Sequence, residues 1–475
     1  MNTRSHGRPL AGLAAALLLA GCANMKGIAP EATLRTPPVP SVAATEVAPL
    51  AADWWKDFGD PQLDRLIEQA LRDSPNLGVA RARLRRAQAA TEAADASRYP
   101  QVNGALDITR QRFSENSLYP KPLAGSIQDT GTLQANANWE IDFFGKNEAA
   151  LQAALGGARA ADADVAAARV VLASNVARTY FQLARLQEQL VVARRTLQQR
   201  EQQLQLVQQR VSAGLDTTLE QRQSEGAIPE ARQQIEALQE QAQTTRNALA
   251  ALVASQDVPA VGQLPALRTV RAGTTLPALP ADLLARRPDV NAARWRVEAA
   301  SQDVKSAQAQ FYPNVNLTAF LGLSTLGLGK LLDLGSTQWG VGPAIRLPIF
   351  DAGRLRANLK GRTADLDSAI ESYNGAVLEA FHEAGDAVAA VQSVERQQAE
   401  QRQAEAAAEG AYDIAVQRYR AGLGTFLNVL SAENAVLAQR RLGVDLAARA
   451  LDARVALYRA LGGGYSATAE NVAAH

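Results

Sequence analysis

Few side chains in this 475-residue chain are equipped for chemistry. Cys22 is the only cysteine, which excludes an internal disulfide framework and a cysteine-rich metal site. The histidines His6, His382 and His475 lie far apart, with no ligand-spaced cluster around any of them. No nucleophile elbow or phosphate-binding loop is present, and the scattered Asp and Glu read as solvated helix faces. These absences disfavour an enzyme, such as a secreted lipoprotein hydrolase, and no metal or cofactor is implied. What remains is the thiol of Cys22. Arg4 and Arg8 precede an apolar run from Leu10 to Ala20, which is too short to span a bilayer as a mature helix. Residues 1–21 therefore read as a secretory signal that ends just before this thiol.

Leu19-Ala20-Gly21-Cys22 resembles the bacterial lipobox, in which the cysteine is acylated and becomes the mature N-terminus. Ordinary cleavage near the same small residues would instead leave a stray thiol. In lipoproteins of this pattern an aspartate after the cysteine signals inner-membrane retention; here Ala23 follows, which favours the outer membrane. Each buried CH₂ of an acyl chain adds about 0.8 kcal/mol of membrane affinity, so several chains anchor firmly.

The elements that must carry this anchor are mostly helical. Lys plus Arg (49) nearly cancels Asp plus Glu (48), so no global basic footprint points to nucleic acid. Alanine, glutamine, leucine and arginine dominate, as in long helices packed through small side chains. Residues 22–59, rich in Pro, Ala, Thr and Val, read as a lipidated extended tether. Asp60-Pro61 fits an N-cap and first helical position, and Ser74-Pro75 starts a second helix, so residues 60–98 hold short helices.

The period then changes to two. Val102, Gly104, Leu106 and Ile108 alternate with polar residues, and Leu133, Ala135, Ala137, Trp139, Ile141 and Phe143 do so more cleanly. A β-hairpin is expected over 99–144. The second half repeats the arrangement: a helix over 289–311, a hairpin over 312–352, with Val315 to Leu323 and Trp339 to Ile349 as its strands. This is a duplicated unit, not a run of short solenoid repeats. Each hairpin feeds a long helical hairpin, over 145–254 and 353–461. The leading helices are about 69 residues each, or about 100 Å at 1.5 Å per residue. In the first, Val176, Leu183, Leu190, Leu197, Leu204 and Val211 recur every seven residues, a coiled-coil seam that is less regular in the second. Pro229 should kink the first return helix. Residues 255–288 form a Pro/Gly-punctuated connector, and 462–475 a C-terminal tail.

The two helical hairpins turn at matching tips. Gln209-Arg210 and Ala213-Gly214-Leu215-Asp216-Thr217 correspond to Gln417-Arg418 and Ala421-Gly422-Leu423-Gly424-Thr425 at a constant offset. Gly214 and Gly422 suit the left-handed conformation that ends a helix. A mere turn explains the glycines but not apolar Leu215 and Leu423 at an exposed tip, which point to a protein contact.

Four amphipathic strands cannot close a barrel, and open edges in a membrane carry unpaired backbone groups costing several kcal/mol each. Strands of roughly ten residues span a bilayer when tilted. A trimer sharing twelve strands is the economical solution, with Trp139 and Trp339 as girdle residues at opposite interfaces. The alternative is a soluble four-stranded sheet with one wet face.

The ordered set of motifs resembles the TolC-like outer-membrane efflux family, in its lipoprotein branch. It comprises the lipobox at Cys22, Asp60-Pro61, Pro280-Ala281-Asp282-Leu283-Leu284-Ala285-Arg286-Arg287-Pro288-Asp289, and Phe311-Tyr312-Pro313. It continues with Leu347-Pro348-Ile349-Phe350-Asp351-Ala352-Gly353-Arg354, Tyr419-Arg420-Ala421-Gly422 and Ala460-Leu461-Gly462-Gly463-Gly464, and so spans essentially the whole chain. The resemblance implies a mainly α fold with a membrane β part. That fold is a homotrimeric 12-stranded β-barrel, four strands per chain, continued by a long α-helical coiled-coil tunnel through the periplasm. It implies a passive exit duct for small molecules, served by a periplasmic adaptor protein and an inner-membrane pump of the resistance-nodulation-division type. A duct for type I secretion of polypeptides is the alternative within the family, and a non-conducting periplasm-spanning lipoprotein the alternative outside it.

The resemblance also implies roles for residues at the tips. Gly214, Leu215, Thr217, Gly422, Leu423 and Thr425 match the adaptor-contacting tips, and Leu427 matches an apolar gate position. Leu423, Asn428 and Ser431 flank that gate; relatives carry an acidic ring where this chain has Ser431, so the acidic trap is not expected here. Coiled-coil packing within one protomer is the other reading of Leu427. Tyr419 and Glu220 match positions that hydrogen-bond between neighbouring coils and hold the gate shut, while Gly424 replaces an arginine of that lock.

Overall fold

Asp60 and Pro61 open the first helix as their chemistry requires. Asp60 Oδ1 accepts from the Gln62 and Leu63 amides at 2.9 and 3.4 Å, and Pro61 takes the first helical position. The structure, a computed structural model, describes residues 25–35, 50–116, 118–255, 264–270 and 286–466. The signal segment 1–21, Cys22, most of the connector and residues 467–475 of the tail lie outside the described residues.

In chain order the helices and strands are α1 (Pro61–Asp73), α2 (Pro75–Ala96), β1 (Gln101–Arg112), β2 (Ile127–Ile141), α3 (Lys146–Ser212) and α4 (Thr218–Leu252). They continue with α5 (Pro288–Ala309), β3 (Asn314–Leu326), β4 (Thr337–Arg346), α6 (Arg354–Arg420) and α7 (Phe426–Ala460). Helices α3 and α6 have 67 residues each, and the return helices α4 and α7 have 35 each. Pro229 lies inside α4, which continues on both sides of it. Among the described residues no helix is long and apolar enough to cross a membrane.

The chain forms two compact units. One contains the described parts of 1–35, 83–161 and 292–374; the other contains those of 36–82, 162–291 and 375–475.

The first unit holds a four-stranded antiparallel sheet in the order β1-β2-β3-β4, so the β2–β3 pairing joins the two halves of the duplication. Directly opposed residues share a face. The pairs Leu106 with Leu133, Leu133 with Leu323, and Leu321 with Trp339 therefore place the apolar alternation on one side. That face is uncovered: Leu106 is 59%, Leu321 62% and Trp339 72% exposed. β4 ends at Arg346, so Leu347 and Ile349 fall beyond the strand they were expected to extend; Pro348 between them has no amide hydrogen for a ladder. Beneath the sheet, Val304 and Ala307 of α5, with Phe311 just past its end, pack against Leu355, Leu359, Leu366 and Ile370 of α6. Gly156 lets α3 approach α5 closely, since a Cβ there would meet Ala299 at 3.1 Å.

Within the segment 22–59 expected to be an extended tether, the described residues 25–35 and 50–59 are packed against the body. Met25, Ile28 and Ala32 pack against the α5–α6 core. The Glu31 and Ala32 amides donate to Asp367 Oδ1 at 2.9 Å, and the Arg35 amide donates to Asn374 Oδ1 at 2.8 Å. In the second unit Trp54–Phe58 forms a 3₁₀ turn with Trp54, Trp55 and Phe58 buried. Those aromatics share a core with Leu63, Ile67, Val176, Tyr180, Leu183, Leu451 and Tyr458. Tyr180 donates to Asp60 Oδ2 at 2.5 Å and Tyr458 to Asp57 Oδ2 at 2.8 Å. Aromatic burial outweighs the Pro/Ala-rich context, because each ring removes far more apolar surface from water than its neighbours do.

Arg287 of the Arg-Arg-Pro-Asp motif is buried. It donates to both Asp289 oxygens at 3.1 and 2.7 Å, to Glu383 at 2.7 Å and to the Ala460 carbonyl at 3.3 Å. The motif thus binds the start of α5 to α6 and to the end of α7.

Candidate functional site

The two tips share one backbone design. At the α3–α4 tip the Gly214 amide donates to Val211 O and the Leu215 amide to Arg210 O, with Gly214 at φ 71°. At the α6–α7 tip Gly422 donates to Tyr419 O and Leu423 to Arg418 O, with Gly422 at φ 74°. These are helix-terminating bonds to orphan carbonyls, and the positive φ is why glycine stands there.

The side chains then differ. Thr217 caps α4: its Oγ1 accepts from the Leu219 amide at 3.2 Å, while Glu220 Oε2 accepts from the Thr217 amide at 2.9 Å and from its hydroxyl. The Thr217 hydroxyl and backbone hold the Glu220 carboxyl below its ordinary pKa. Thr425 caps α7 through its backbone only.

Tyr419 does not meet Glu220, the partner expected for it. Its hydroxyl donates to Asp216 Oδ2, and Glu220 is engaged within its own capping box one turn further along α4. Asp216 also receives Arg210, from Nε at 2.8 Å and Nη2 at 3.3 Å. Arg210 in turn donates to the Tyr419 carbonyl at 3.0 Å, and its guanidinium lies 4.5 Å from the centre of the Tyr419 ring. Arg210, Asp216 and Tyr419 thus tie one tip to the other. Burial and the Asp216 carboxylate push the Tyr419 phenol well above its ordinary value. Burial opposes ionisation of Asp216, but the Arg210 and Tyr419 hydrogen bonds prevail and hold its carboxyl below the usual range.

Above the tips the helices are joined by buried polar groups. Arg200 of α3 meets Glu433 of α7 at 3.3 Å, Glu230 of α4 at 3.0 Å and the Ala227 carbonyl at 2.8 Å. Arg440 makes a two-pronged bond to Glu409 at 2.5 and 2.6 Å and a third to Gln199 at 2.9 Å. Glu433 is buried, which raises its pKa against the opposing pull of Arg200. It points into the bundle, while neutral Ser431 is exposed.

Four leucines remain uncovered: Leu215, Leu219, Leu423 and Leu427 are 64%, 61%, 70% and 68% exposed. Leu427 does not pack within the protomer; Phe426 and Val429 on either side are the buried residues. Asn428 is exposed beside it. Sequence reasoning missed Leu219, although the duplication aligns it with Leu427. It also missed Arg210 and Asp216, whose pairing with Tyr419 depends on how the tips meet. Among the described residues no group of three or more His, Cys, Asp or Glu is arranged to hold a metal ion.

A chain with these paired tips and this sheet has known relatives. The family model described as "Outer membrane efflux protein" matches residues 66–255 and 279–463. The pyoverdine export outer membrane protein OpmQ of Pseudomonas aeruginosa is 35% identical over 426 residues, covering 88% of this chain and 89% of the relative. The fusaric acid resistance protein FusA of Burkholderia cepacia is 38% identical over 371 residues, covering 75% of this chain and 69% of the relative. The crystal structure of the outer membrane protein VceC of Vibrio cholerae superposes with a TM-score of 0.82 at 38% identity, covering 88% of this chain and 100% of that one. On the extent of the family match and the full-length similarity of sequence and fold, the chain belongs to the outer membrane efflux protein family.

Proposed function

We propose that this protein is the outer-membrane duct of a tripartite efflux system, a passive exit path for small molecules. The observation that carries the reading is the sheet. Its apolar face is uncovered and its β1 and β4 edges are unpaired among the described residues. Inside a bilayer such edges require partners. Three copies would close a twelve-stranded barrel, with helices α3, α4, α6 and α7 continuing as a coiled-coil tunnel in the periplasm. Acylation of Cys22 would add a lipid anchor in the same membrane.

The exposed tip residues support the remaining assignments. Gly214, Leu215, Thr217, Gly422, Leu423 and Thr425 present backbone and apolar surface suited to a periplasmic adaptor, which would deliver cargo from an inner-membrane pump of the resistance-nodulation-division type. Leu427, three-fold repeated about an axis, forms an apolar constriction flanked by Leu423, Asn428 and Ser431. Tyr419, through Asp216 and Arg210, latches the tips in the closed arrangement. OpmQ and FusA are named for export of, or resistance to, small molecules, which agrees with a small-molecule cargo.

The test is single-channel conductance of the purified protein in a planar bilayer, native against Leu427→Ser. A small native conductance that rises sharply in the variant is expected. Large conductance in both would retain the duct and remove the gate. No conductance from either protein after verified insertion would overturn the duct.

A further inference from the structure

At the helix-proximal end of the sheet the first unit carries an open cavity of about 510 Å³. Arg346 and Arg354 line it, together with the Glu140–Lys146 ion pair and the rings of Phe144 and Tyr312. Strand register puts Arg346 opposite Asn314 and Glu140 opposite Asn316, so all four lie on the polar face of the sheet.

The acids around this cavity are already engaged. Glu140 is held by Lys146 at 2.5 Å. Asp142 accepts the Lys146, Asn147 and Glu148 amides at 2.7, 2.9 and 2.8 Å, and so serves the start of α3. Asp351 does the same for α6, accepting from Gly353 at 3.0 Å and Leu355 at 2.8 Å. Among the described residues no side-chain hydrogen bond or close ion pair engages the Arg346 or Arg354 guanidinium; Arg354 feels the Asp351 carboxylate only through longer-range attraction. Two planar forks with unspent donors beside acids that are already engaged make the cavity a receptor for negative charge. On its wall Phe144 and Tyr312 stack with centroids 4.8 Å apart and planes 10° apart, and both remain half-exposed. That pair offers a flat apolar surface to a third ring.

We propose that this cavity is a binding site for small aromatic anions, with Arg346 and Arg354 taking the carboxylate or sulfonate and the Phe144–Tyr312 pair taking the ring. Its biological meaning, a transit station for such cargo on the polar face of the sheet, rests on the duct reading. The binding itself does not.

The experiment is equilibrium dialysis of the detergent-solubilised full-length protein with 2-naphthoate, with neutral 2-naphthylmethanol as the control. The arms are native protein, Arg346→Gln with Arg354→Gln, Arg346→Lys, and Tyr312→Ala. Saturable naphthoate binding is expected, weakened at least tenfold by the double glutamine variant and by Tyr312→Ala. Arg346→Lys keeps the charge but not the planar fork and should bind with an affinity between native and the double glutamine variant, and the neutral alcohol should bind at least tenfold more weakly than the acid. Native-like circular dichroism in each variant confirms that loss is local. Equal naphthoate binding by the native and double glutamine proteins, or no saturable binding by the native protein, overturns the site. Bilayer recordings on the same preparations separate the two readings: a conducting protein without naphthoate binding loses the site and keeps the duct. A protein that binds naphthoate without conducting keeps the site and loses the duct.

Discussion

Asp216, at the tip between α3 and α4, accepts the hydroxyl hydrogen of Tyr419 from the last turn of α6. Arg210 closes the arrangement by reaching both the Asp216 carboxylate and the Tyr419 carbonyl. This polar tie sits at the very ends of the two helical hairpins, beside the apolar packing of Val207 and Val211 with Tyr419 and Phe426, and it sets the first prediction.

Tyr419→Phe removes the hydroxyl and keeps the ring against Phe426. The expected loss is roughly 1.5–3 kcal/mol of tip association, since the lost bond runs to a charged acceptor. In bilayers the variant should show a higher open fraction. Glu220→Gln, by contrast, weakens only the cap of α4 and should leave conductance unchanged. A Glu220→Gln channel as leaky as Tyr419→Phe would mean that Asp216 is not the working partner.

The exposed and buried residues around the second tip should separate cleanly in stability. Leu427→Ser and Leu219→Ser fall on open surface of the protomer and should change its unfolding free energy, read from chemical denaturation, by no more than about 0.5 kcal/mol. Phe426→Ala should cost about 3–5 kcal/mol because its ring fills the coil interior beside Val429 and Tyr412.

Two carboxylates predict opposite responses to pH. Asp216 has a depressed folded pKa, so its contribution is present above the unfolded carboxylate range and is lost only as pH falls through the lower folded value. Acid-induced opening is therefore not expected between pH 7 and about 5. Glu433 has a folded pKa raised above its ordinary 4.5. Its contribution is complete below the unfolded value and is lost as pH rises through the folded one. Thermal melts should thus show a stabilising component on acidification from neutral pH towards 4.5 that disappears in Glu433→Gln.

Arg287→Met should be clearly destabilising. It removes the fork to Asp289 and the bond to the Ala460 carbonyl and leaves Glu383 with Arg459 at 3.9 Å; because both carboxylates keep contact with solvent, the cost should be about 1–3 kcal/mol. Arg287→Lys cannot reproduce the fork to Asp289 and should be intermediate, judged by the yield of folded protein and by melting temperature.

The N-terminal strap can be tested with trypsin. Asp367→Ala together with Asn374→Ala removes the acceptors of the Glu31, Ala32 and Arg35 amides. Cleavage after Lys26 or Arg35 should accelerate about tenfold or more, as expected for losing one to two kcal/mol of local protection. Unchanged cleavage would mean that Met25, Ile28 and Ala32 hold the strap by packing alone.

What could be read from the sequence was whatever depends on period. The alternation of Leu133, Ala135, Ala137 and Trp139 marked β2, and the seven-residue recurrence through Val176 and Leu183 marked the buried seam of α3. Gly214 and Gly422 marked the tips because a positive φ leaves few other choices. Partner choice was not legible. Tyr419 could reach Glu220 or Asp216 on spacing alone, and only the meeting of the two hairpins selects Asp216. Trp54 to Phe58 was submerged in a Pro/Ala-rich context, although its aromatics complete a core with Tyr180 and Tyr458. Glu433 looked like one more solvated acid until the helix phase turned it towards Arg200.

The sheet has one more implication, for the history of each molecule before it matures. A lone chain carries two bare strand edges and a broad greasy face through any aqueous compartment that it crosses. Those surfaces cannot distinguish a correct sister copy from any other extended, sticky segment. On the proposed trimeric reading, coming together in threes would be steeply concentration-dependent, so dilute chains would wait longest and face the greatest risk of aggregation or proteolysis. On that reading, protection by holdase chaperones or prompt delivery to the bilayer would follow from the strand order itself.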